Sequence, residues 1–380
     1  MAQGRTVALL LGLTLLTASV GAEVYTDDTL VTDTIRSEEE QFRVRRLVGG
    51  LEHPWSVAFL PSGEFLITER PGRLILVEGD GVSTVEGLPE IAAIGQGGLL
   101  DLALDPEFEE NRTLYFTYSS REESGFGTRL ARGELRGSRL RNVEVLFQME
   151  SGGGAGHHFG SRVVVGPDGA LYMSIGDRGD RLRAQDPEDH AGKVLRIGPD
   201  GDVPRDNPFL HRRDARPELF TLGNRNIQGM TVHPESGEIW SHEHGPRGGD
   251  EVNILRPGVN YGWPEVTYGR EYSGGEIGQG ARASGFREPL LHWTPSIAPS
   301  GMVFYRGEAF ADWEGDLFVG ALAGRHLRRV ELRSDRPVSQ EELLSGTLGR
   351  IRDVRVGPDG LLYLLTDADN GGLFRLEPSR

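Results

Sequence analysis

Along most of this chain, apolar and polar residues alternate with the period of two that is typical of β-strands. Six times, an alternating run leads into a short turn, often of the Pro-Asp-Gly type, and then into a second alternating run. This is the pattern of a β-hairpin. A further strand-like run follows each copy. The six copies occupy residues 55–68, 100–118, 163–175, 230–240, 301–319 and 354–365.

Six similar groups of short strands predict an all-β fold, a six-bladed β-propeller with long inter-strand loops. Radial closure suits such repeats because it leaves no long sheet edge exposed. A pair of β-sandwiches is the alternative, but a sandwich does not require the same strand pair six times. In a propeller, loops from all the blades meet at one end of the central channel, and there we expect the functional site.

The first residues predict export from the cytoplasm. Residues 1–22 contain an arginine, an apolar run and small residues before a cleavage site, as in a signal peptide. The apolar run is short for a bilayer core of about 30 Å, so a retained amino-terminal anchor is the less favoured alternative. Residues 23–44 are polar and predict a flexible leader, and residues 45–380 predict one propeller domain. We therefore expect a periplasmic or secreted protein with no integral membrane segment after signal removal.

Composition excludes several kinds of chemistry. The 380 residues contain no cysteine, which excludes thiolate catalysis and disulfides. The net charge of −16 argues against a nucleic-acid partner, because phosphates require a basic surface. An acidic protein is compatible with a neutral substrate or with bound cations.

One segment carries residues suited to proton transfer. His157 and His158 stand before the apolar run of the third repeat, and Arg162 follows four residues after His158. A neutral imidazole accepts a proton near pH 7, and an arginine holds developing negative charge. A histidine that only braces its loop is the alternative interpretation.

Several short motifs occur in an order that resembles a known family. They are the segments 95–100, 157–162, 222–226, 242–246, 260–264 and 350–353. Together they resemble the soluble, pyrroloquinoline-quinone-dependent glucose/sorbosone dehydrogenase family, in particular its aldose sugar dehydrogenase branch, from about Leu51 to the carboxyl terminus. The resemblance implies a six-bladed propeller that oxidises the anomeric carbon of an aldose to a lactone. It also implies hydride transfer to the quinone and later electron transfer to an unidentified acceptor, a cytochrome or a quinone.

The resemblance assigns roles by position. His158 matches the general base, and Arg225 matches the arginine beside the reactive quinone carbonyl. The positions that match contacts to the cofactor are Gln96, Arg225, Asn226, Arg350 and Arg352. The last two alternate along one strand and so point the same way, as two cations that hold a carboxylate should.

The family also implies calcium. Gly245 and Pro246 match the pair whose carbonyl oxygens hold the ion that clamps the quinone, and calcium accepts such hard oxygens. Asp250, Glu251 and Tyr261 match positions around a second, structural calcium in some members. Ordinary surface carboxylates are the alternative for these acidic residues.

The chain departs from the family at three places. The lysine expected in residues 320–327 is absent, and Arg325 is a replacement of uncertain register. His157 and His244 stand where some glucose-oxidising relatives have an acidic residue and a glutamine. A calcium-dependent propeller lactonase and a noncatalytic carbohydrate-binding propeller remain the alternative functions.

Overall fold

The structure, a computed structural model, describes residues 23–379. Within them, 26 strands form six antiparallel sheets arranged as the blades of a propeller. The prediction of an all-β, six-bladed propeller is confirmed. The one short α-helix in this part of the chain is α1 (Phe108–Asn111), and two 3-10 turns lie at Arg181–Gln185 and Ala311–Trp313.

The first three blades follow one another along the chain. Blade 1 comprises β4 (Pro54–Phe59), β5 (Phe65–Glu69), β6 (Arg73–Glu78) and β7 (Gly81–Thr84). Blade 2 comprises β8 (Leu99–Leu104), β9 (Thr113–Glu122), β10 (Gly125–Arg136) and β11 (Arg139–Gln148). Blade 3 comprises β12 (Val163–Val165), β13 (Leu171–Ile175), β14 (Lys193–Ile197) and β15 (Leu219–Thr221).

The last three blades complete the ring. Blade 4 comprises β16 (Ile227–Val232), β17 (Ile239–Glu243), β18 (Asp250–Ile254) and β19 (Leu291–Trp293). Blade 5 comprises β20 (Pro299–Phe304), β21 (Leu317–Ala321), β22 (Leu327–Arg333) and β23 (Arg336–Leu343). Blade 6 comprises β24 (Ile351–Val356), β25 (Leu362–Thr366), β26 (Gly371–Pro378), β3 (Gln41–Leu51), β1 (Tyr25–Leu30) and β2 (Ile35–Arg36).

The two ends of the chain meet in blade 6. Strand β26 pairs antiparallel with β3, so the carboxyl-terminal strand and an amino-terminal strand close the ring through backbone hydrogen bonds. The first strands of successive blades pack side by side around the channel, and β24 packs against β4. The six predicted hairpins correspond to the first two strands of the six blades.

Residues 23–44 differ from the flexible leader that their composition predicts. Strand β1 pairs with β3, and β3 begins at Gln41, before the predicted domain boundary. Phe42 and Val44 are fully buried. A polar segment is compatible with this position because an outer strand gains backbone hydrogen bonds while its side chains stay in water. The predicted signal peptide, residues 1–22, lies outside the described residues.

The apolar core lies between the blades. Six of the clusters of buried side chains each bridge two neighbouring blades. Alternation along a strand produces this division, because successive side chains point to opposite faces of a sheet. On β9, Leu114 and Phe116 face blade 1, whereas Tyr115 between them faces blade 3.

The Pro-Asp-Gly turns carry a repeated set of hydrogen bonds. In blade 3, Asp168 accepts from the Tyr172 hydroxyl at 3.0 Å and from the Ala170 N–H at 3.2 Å. In blade 6, Asp359 accepts from the Tyr363 hydroxyl at 2.9 Å and from a backbone N–H two residues on. These aspartates therefore stabilise the hairpins at one end of the blades, and the polar loops before the first strands lie at the opposite end. Within the described residues, no helix has the length and apolar character needed to cross a membrane.

Candidate active site

Loops from all six blades surround a cavity at one mouth of the channel. Its volume is about 670 Å³, and its walls include Gln96, Asn226, Arg350 and Arg352. A neighbouring cavity of about 440 Å³ contains His158, Arg225 and Pro246. Gln96 lines both cavities, so they are adjacent. The structure thus brings the predicted catalytic and cofactor-binding residues to one end of the propeller.

His158 is held in a defined orientation by a carboxylate. Its Nδ1 lies 2.6 Å from Asp177 Oδ1. The other Asp177 oxygen accepts from the indole N–H of Trp263 at 2.8 Å. With Nδ1–H donated to Asp177, the lone pair of His158 lies on Nε2, which makes no hydrogen bond within the described residues and is available to accept a proton.

The electrostatic environment keeps His158 neutral and Asp177 ionised. Burial lowers the pKa of His158, and the positive charge of Arg225 contributes in the same direction. Burial opposes ionisation of Asp177, but the hydrogen bond and charge of His158, together with the N–H of Gly179, lower its pKa overall. A neutral imidazole beside a carboxylate is the arrangement that general-base catalysis requires.

The loop that carries His158 has an unusual backbone conformation. His158 and Ser161 have φ values of 56° and 83°, in the left-handed region that side chains rarely adopt. Arg178 stabilises the loop, because its guanidinium donates to the carbonyl oxygens of His157, Ala155 and Phe126. The backbone N–H of His158 also donates to Gln96 Oε1 at 2.9 Å. These contacts place the imidazole at the cavity wall.

A buried glutamate fixes the backbone at Arg225 and Asn226. Glu243 accepts from the backbone N–H groups of both residues. Burial raises the pKa of Glu243 to about 7. The Arg225 guanidinium lies 5.2 Å from the centre of the Trp263 ring and donates to the carbonyl of His244 at 2.9 Å. Its Nε is buried and has no hydrogen-bond partner among the described residues, while the residue itself lines the smaller cavity.

Arg350 and Arg352 do lie on one wall of the larger cavity, and both contact Asp367. The Nη2 atoms of Arg350 and Arg352 are 2.8 Å and 3.2 Å, respectively, from Asp367 Oδ2. Arg352 also donates to Gln228 Oε1 at 3.1 Å, and its buried Nε has no partner in the part of the chain that is described. The two guanidiniums therefore form an anion-binding wall with one carboxylate beneath it.

Arg162 has a different position from the one expected of a charge-stabilising site residue. It is 2 % exposed and pairs with Asp101 at 3.1 Å and Asp353 at 3.0 Å. Its guanidinium lies 4.1 Å from the centre of the Trp55 ring. Arg162 is thus a buried cross-link between blades, and the free cation near His158 is Arg225.

The five predicted calcium residues lie together but make different contacts. The Gly245 carbonyl accepts no hydrogen bond from the described residues, and that of Pro246 accepts one from the Arg270 N–H at 3.1 Å. Both carboxylate oxygens of Asp250 already accept two hydrogen bonds each. The donors are the Gly245 N–H and three groups of residues 296–298. The Tyr261 hydroxyl bonds to the backbone at Ile254 and Arg256.

Glu251 is the predicted calcium residue with the most unusual environment. It is buried opposite Glu243 on the neighbouring strand, and burial together with the charge of Glu243 raises its pKa. The described residues contain no group of three or more histidine, aspartate or glutamate side chains arranged to hold a metal ion. A calcium ion here would therefore depend on backbone carbonyls, ligand atoms and single carboxylates.

The structure also locates the three departures from the family pattern. Arg325 is exposed and does not line either cavity. His157 lines the smaller cavity, with its ring 4.6 Å from that of His158. His244 lines the larger one, and burial lowers its pKa to about 3, so it is a neutral donor or acceptor.

Sequence reasoning missed four residues that organise this site: Asp177, Glu243, Trp263 as the partner of Asp177, and Asp367. Asp177 had a local signal, because it lies two residues after β13 in a Gly-Asp-Arg-Gly turn at the polar end of a blade. Glu243 and Asp367 had none, since their partners are distant in sequence. Folding of the blades brings these groups together, because it places the loops before the first strand and after the second strand at the same end of the sheet.

The fold and site define a class of protein, a six-bladed propeller with a carboxylate-oriented histidine beside a cationic cavity. Comparison with known proteins agrees with this class. Residues 51–375 match the family model described as Glucose / Sorbosone dehydrogenase. The chain is 40 % identical to the aldose sugar dehydrogenase YliI of Escherichia coli, over 86 % of this chain and 91 % of that protein.

Solved structures give the same result. A crystal structure of a glucose dehydrogenase superposes with a TM-score of 0.86 and 44 % identity, over 88 % of this chain and 99 % of the other. The pyrroloquinoline-quinone-bound aldose sugar dehydrogenase of Streptomyces coelicolor has a TM-score of 0.72 and 26 % identity, over 93 % and 100 % of the two chains. The chain belongs to the glucose/sorbosone dehydrogenase family and is an enzyme, an oxidoreductase.

Proposed function

We propose that this enzyme oxidises the anomeric carbon of aldose sugars to lactones, with pyrroloquinoline quinone as the bound electron acceptor and His158 as the general base. The observation that carries the proposal is the pair of His158 and Asp177 at 2.6 Å, in a cavity that the Arg225 cation also lines. Sugar oxidation of this kind removes a proton from the anomeric hydroxyl and a hydride from the same carbon. A base and a cation are therefore both required.

The residues fit the quinone. Its tricyclic ring and three carboxylates require a wide cavity with flat walls and several cations. The cavity of about 670 Å³ has Trp55 and Phe159 in its walls and is also lined by Arg70, Arg350 and Arg352. Arg350 and Arg352 lie on one wall of this cavity, where they can pair with a carboxylate of the ligand. When bound, the quinone supplies a two-electron acceptor for the hydride.

The chain's own residues manage the proton. His158 Nε2 takes it from the anomeric hydroxyl, and the imidazolium that forms is stabilised by the ionised Asp177. Trp263 holds the second Asp177 oxygen, which keeps the carboxylate from rotating away. Arg225, beside Trp263, stabilises negative charge that develops during the transfer.

Calcium belongs to the proposal as well. The Gly245 and Pro246 carbonyls are hard oxygen donors at the edge of the cavities, and at most one of the two accepts a hydrogen bond from described residues. They would hold the ion, which would neutralise part of the quinone's charge. Among the residues proposed for a second ion, Glu251 has the carboxylate least satisfied by the protein, whereas Asp250 and the Tyr261 hydroxyl would have to exchange existing hydrogen bonds to become ligands.

The proposal also includes the cellular location of the protein and the class of its electron acceptor. We propose that the protein acts in the periplasm or is secreted, on the support of the predicted signal peptide in residues 1–22. Electrons pass from the reduced cofactor to a cytochrome or a quinone. Amino-terminal sequencing of the mature protein tests the cleavage site.

The decisive experiment is reconstitution of purified apo-protein. Dye-linked oxidation of an aldose is measured with quinone and calcium together, with each alone, and with neither. We expect turnover only when both are present, and a lactone as the product. Absence of turnover, together with no quinone absorbance retained on the protein, would reject the proposal. The lactonase and carbohydrate-binding alternatives would then be tested on the same sample.

A further inference from the structure

A histidine at the wall of the larger cavity lies between two aspartates. His53 is in the loop between β3 and β4, and Asp367 and Asp369 are in the loop between β25 and β26. Nδ1 of His53 is 2.9 Å from Asp367 Oδ1, and Nε2 is 2.8 Å from Asp369 Oδ1. All three residues line the cavity.

The geometry determines what the imidazole does. Ionised carboxylates are acceptors only, and a neutral imidazole has a single N–H to donate. The Nδ1 contact with Asp367 is a hydrogen bond, whereas the Nε2 contact with Asp369 is a charge pair that forms when the imidazole is protonated. In that protonated form, His53 adds a fourth cation to the cavity wall that Arg70, Arg350 and Arg352 form.

The two aspartates are not equivalent. The Asp367 side chain is 11 % exposed and is also bonded to Arg350 and Arg352, so it belongs to the framework of the wall. The Asp369 side chain is 94 % exposed, and its contact with His53 is the one salt bridge it makes within residues 23–379. An exposed ion pair is weak because water screens it, so an incoming anion displaces Asp369 readily.

We propose that His53 is a binding residue for a carboxylate of the ligand in the larger cavity, and that Asp369 occupies the position of that carboxylate until the ligand arrives. Asp369 thus acts as an internal competitor. This inference rests on the proposed function, because it takes the polycarboxylate quinone as the ligand. It adds to the site a residue on the β3–β4 loop, beside the strand pair that closes the propeller.

The backbone supports this role. The His53 N–H donates to the Ala368 carbonyl at 2.8 Å, and the His53 carbonyl accepts from the Arg70 N–H at 3.0 Å. The two loops are thereby fixed to each other, and the imidazole points along the cavity wall. His53 has a φ of 45°, a strained conformation for histidine that the surrounding structure maintains.

The test measures binding and not turnover. Apo-protein is titrated with pyrroloquinoline quinone in the presence of calcium, and quenching of tryptophan fluorescence gives Kd. The variants are His53→Asn, Asp369→Ala and the double variant. Asparagine is chosen at position 53 because it tolerates positive φ better than other uncharged residues. His211→Asn, at an exposed histidine outside both cavities, is the matched control.

Three results are expected. His53→Asn weakens binding about tenfold or more, the range for loss of a hydrogen bond between charged groups. Asp369→Ala tightens binding, by up to about fivefold, because the competitor stabilises only the free protein. The double variant binds like His53→Asn alone, since the competitor has no effect once its partner is absent. His211→Asn binds like the wild type.

The outcomes separate this inference from the proposed function. If wild-type apo-protein takes up no quinone, both are overturned. If the wild type binds and His53→Asn binds equally well, or if Asp369→Ala weakens binding, the role of His53 is overturned and the proposed function stands. Circular dichroism checks that each variant is folded, and His53→Gln replaces His53→Asn if the latter is not. A purely structural role for the pair predicts weaker, not tighter, binding by Asp369→Ala.

Discussion

The centre of the channel and its mouth are built from the same residue types, arginine and aspartate, and differ in how completely those residues are paired. At the centre, Asp101 accepts from Arg162 at 3.1 Å, Arg355 at 2.9 Å and Ser56 at 2.8 Å. Asp101 is 1 % exposed. Each of these charges has a partner in another blade, so this network joins blades across the channel and offers nothing to a ligand.

At the mouth, the corresponding groups each keep one unsatisfied position. His158 has a free Nε2, and Arg225 and Arg352 each have a buried Nε without a partner among the described residues. One strand shows both behaviours, since Arg352 faces the cavity while Arg355, three residues on, belongs to the central network. The charged groups of the mouth thus line open cavities, whereas those of the centre are buried and paired with groups from other blades.

The largest effect is expected at the oriented base. His158→Asn suits the positive φ at this position and removes the proton acceptor, so kcat falls by about 10²–10⁴, the usual worth of a general base. Thermal stability and quinone affinity remain close to wild type. Steady-state kinetics and quinone titration on the same preparation check this, and a variant that retains full turnover removes His158 from the mechanism.

The pH profile of the wild type tests the same residue without mutation. Because burial lowers the pKa of His158, the base is neutral at pH 7 and gains a proton only below its ordinary value of 6.5. We expect kcat/KM to be flat near neutrality and to fall on the acid side of pH 6.5. A fall that begins above pH 7 contradicts a depressed pKa.

The next effect concerns the centre of the channel. Asp101→Asn keeps the shape of the side chain but removes one of the two carboxylates that Arg162 and Arg355 share, leaving them with Asp353 alone, so we expect a loss of about 3 kcal/mol in the free energy of unfolding. Denaturant titration measures it. Asp214→Asn breaks an exposed pair with Arg212 and is the control, with a change below about 1 kcal/mol. Equal losses in the two variants would remove the distinction between centre and surface.

A smaller effect is expected at the mouth. The Arg350 side chain is 43 % exposed, so Arg350→Ala changes stability little. Quinone affinity falls about tenfold, because a hydrogen bond between charged groups is lost. Fluorescence titration and thermal melting give the two quantities. The opposite result, lower stability with unchanged affinity, would place Arg350 with the central network.

The smallest effect is expected at Arg325. This residue is exposed and outside both cavities, so Arg325→Ala leaves quinone affinity unchanged within about twofold. The same titration as for Arg350→Ala measures it. A loss as large as that at Arg350 would show that Arg325 takes the place of the missing family lysine after all.

Much of this molecule could be predicted from sequence because its signals are local. Alternation with period two and the recurring turns identified six hairpins, and a turn such as Asp168 with Tyr172 stabilises itself through neighbours in sequence. The motif around His158 and the alternation of Arg350 and Arg352 identified residues that the structure brings to one mouth of the channel.

Other features depend on which blades become neighbours, and these only the tertiary structure decided. Arg162 follows His158 by four residues, yet it pairs with Asp101 and Asp353, from two other blades. The polar segment at residues 25–30 is a strand because it pairs with β3, which ring closure places in blade 6 beside β26. Asp177, Glu243 and Asp367 act through contacts between loops. The alternation of side chains is a property of each strand, whereas the pairing of charges is a property of the closed ring.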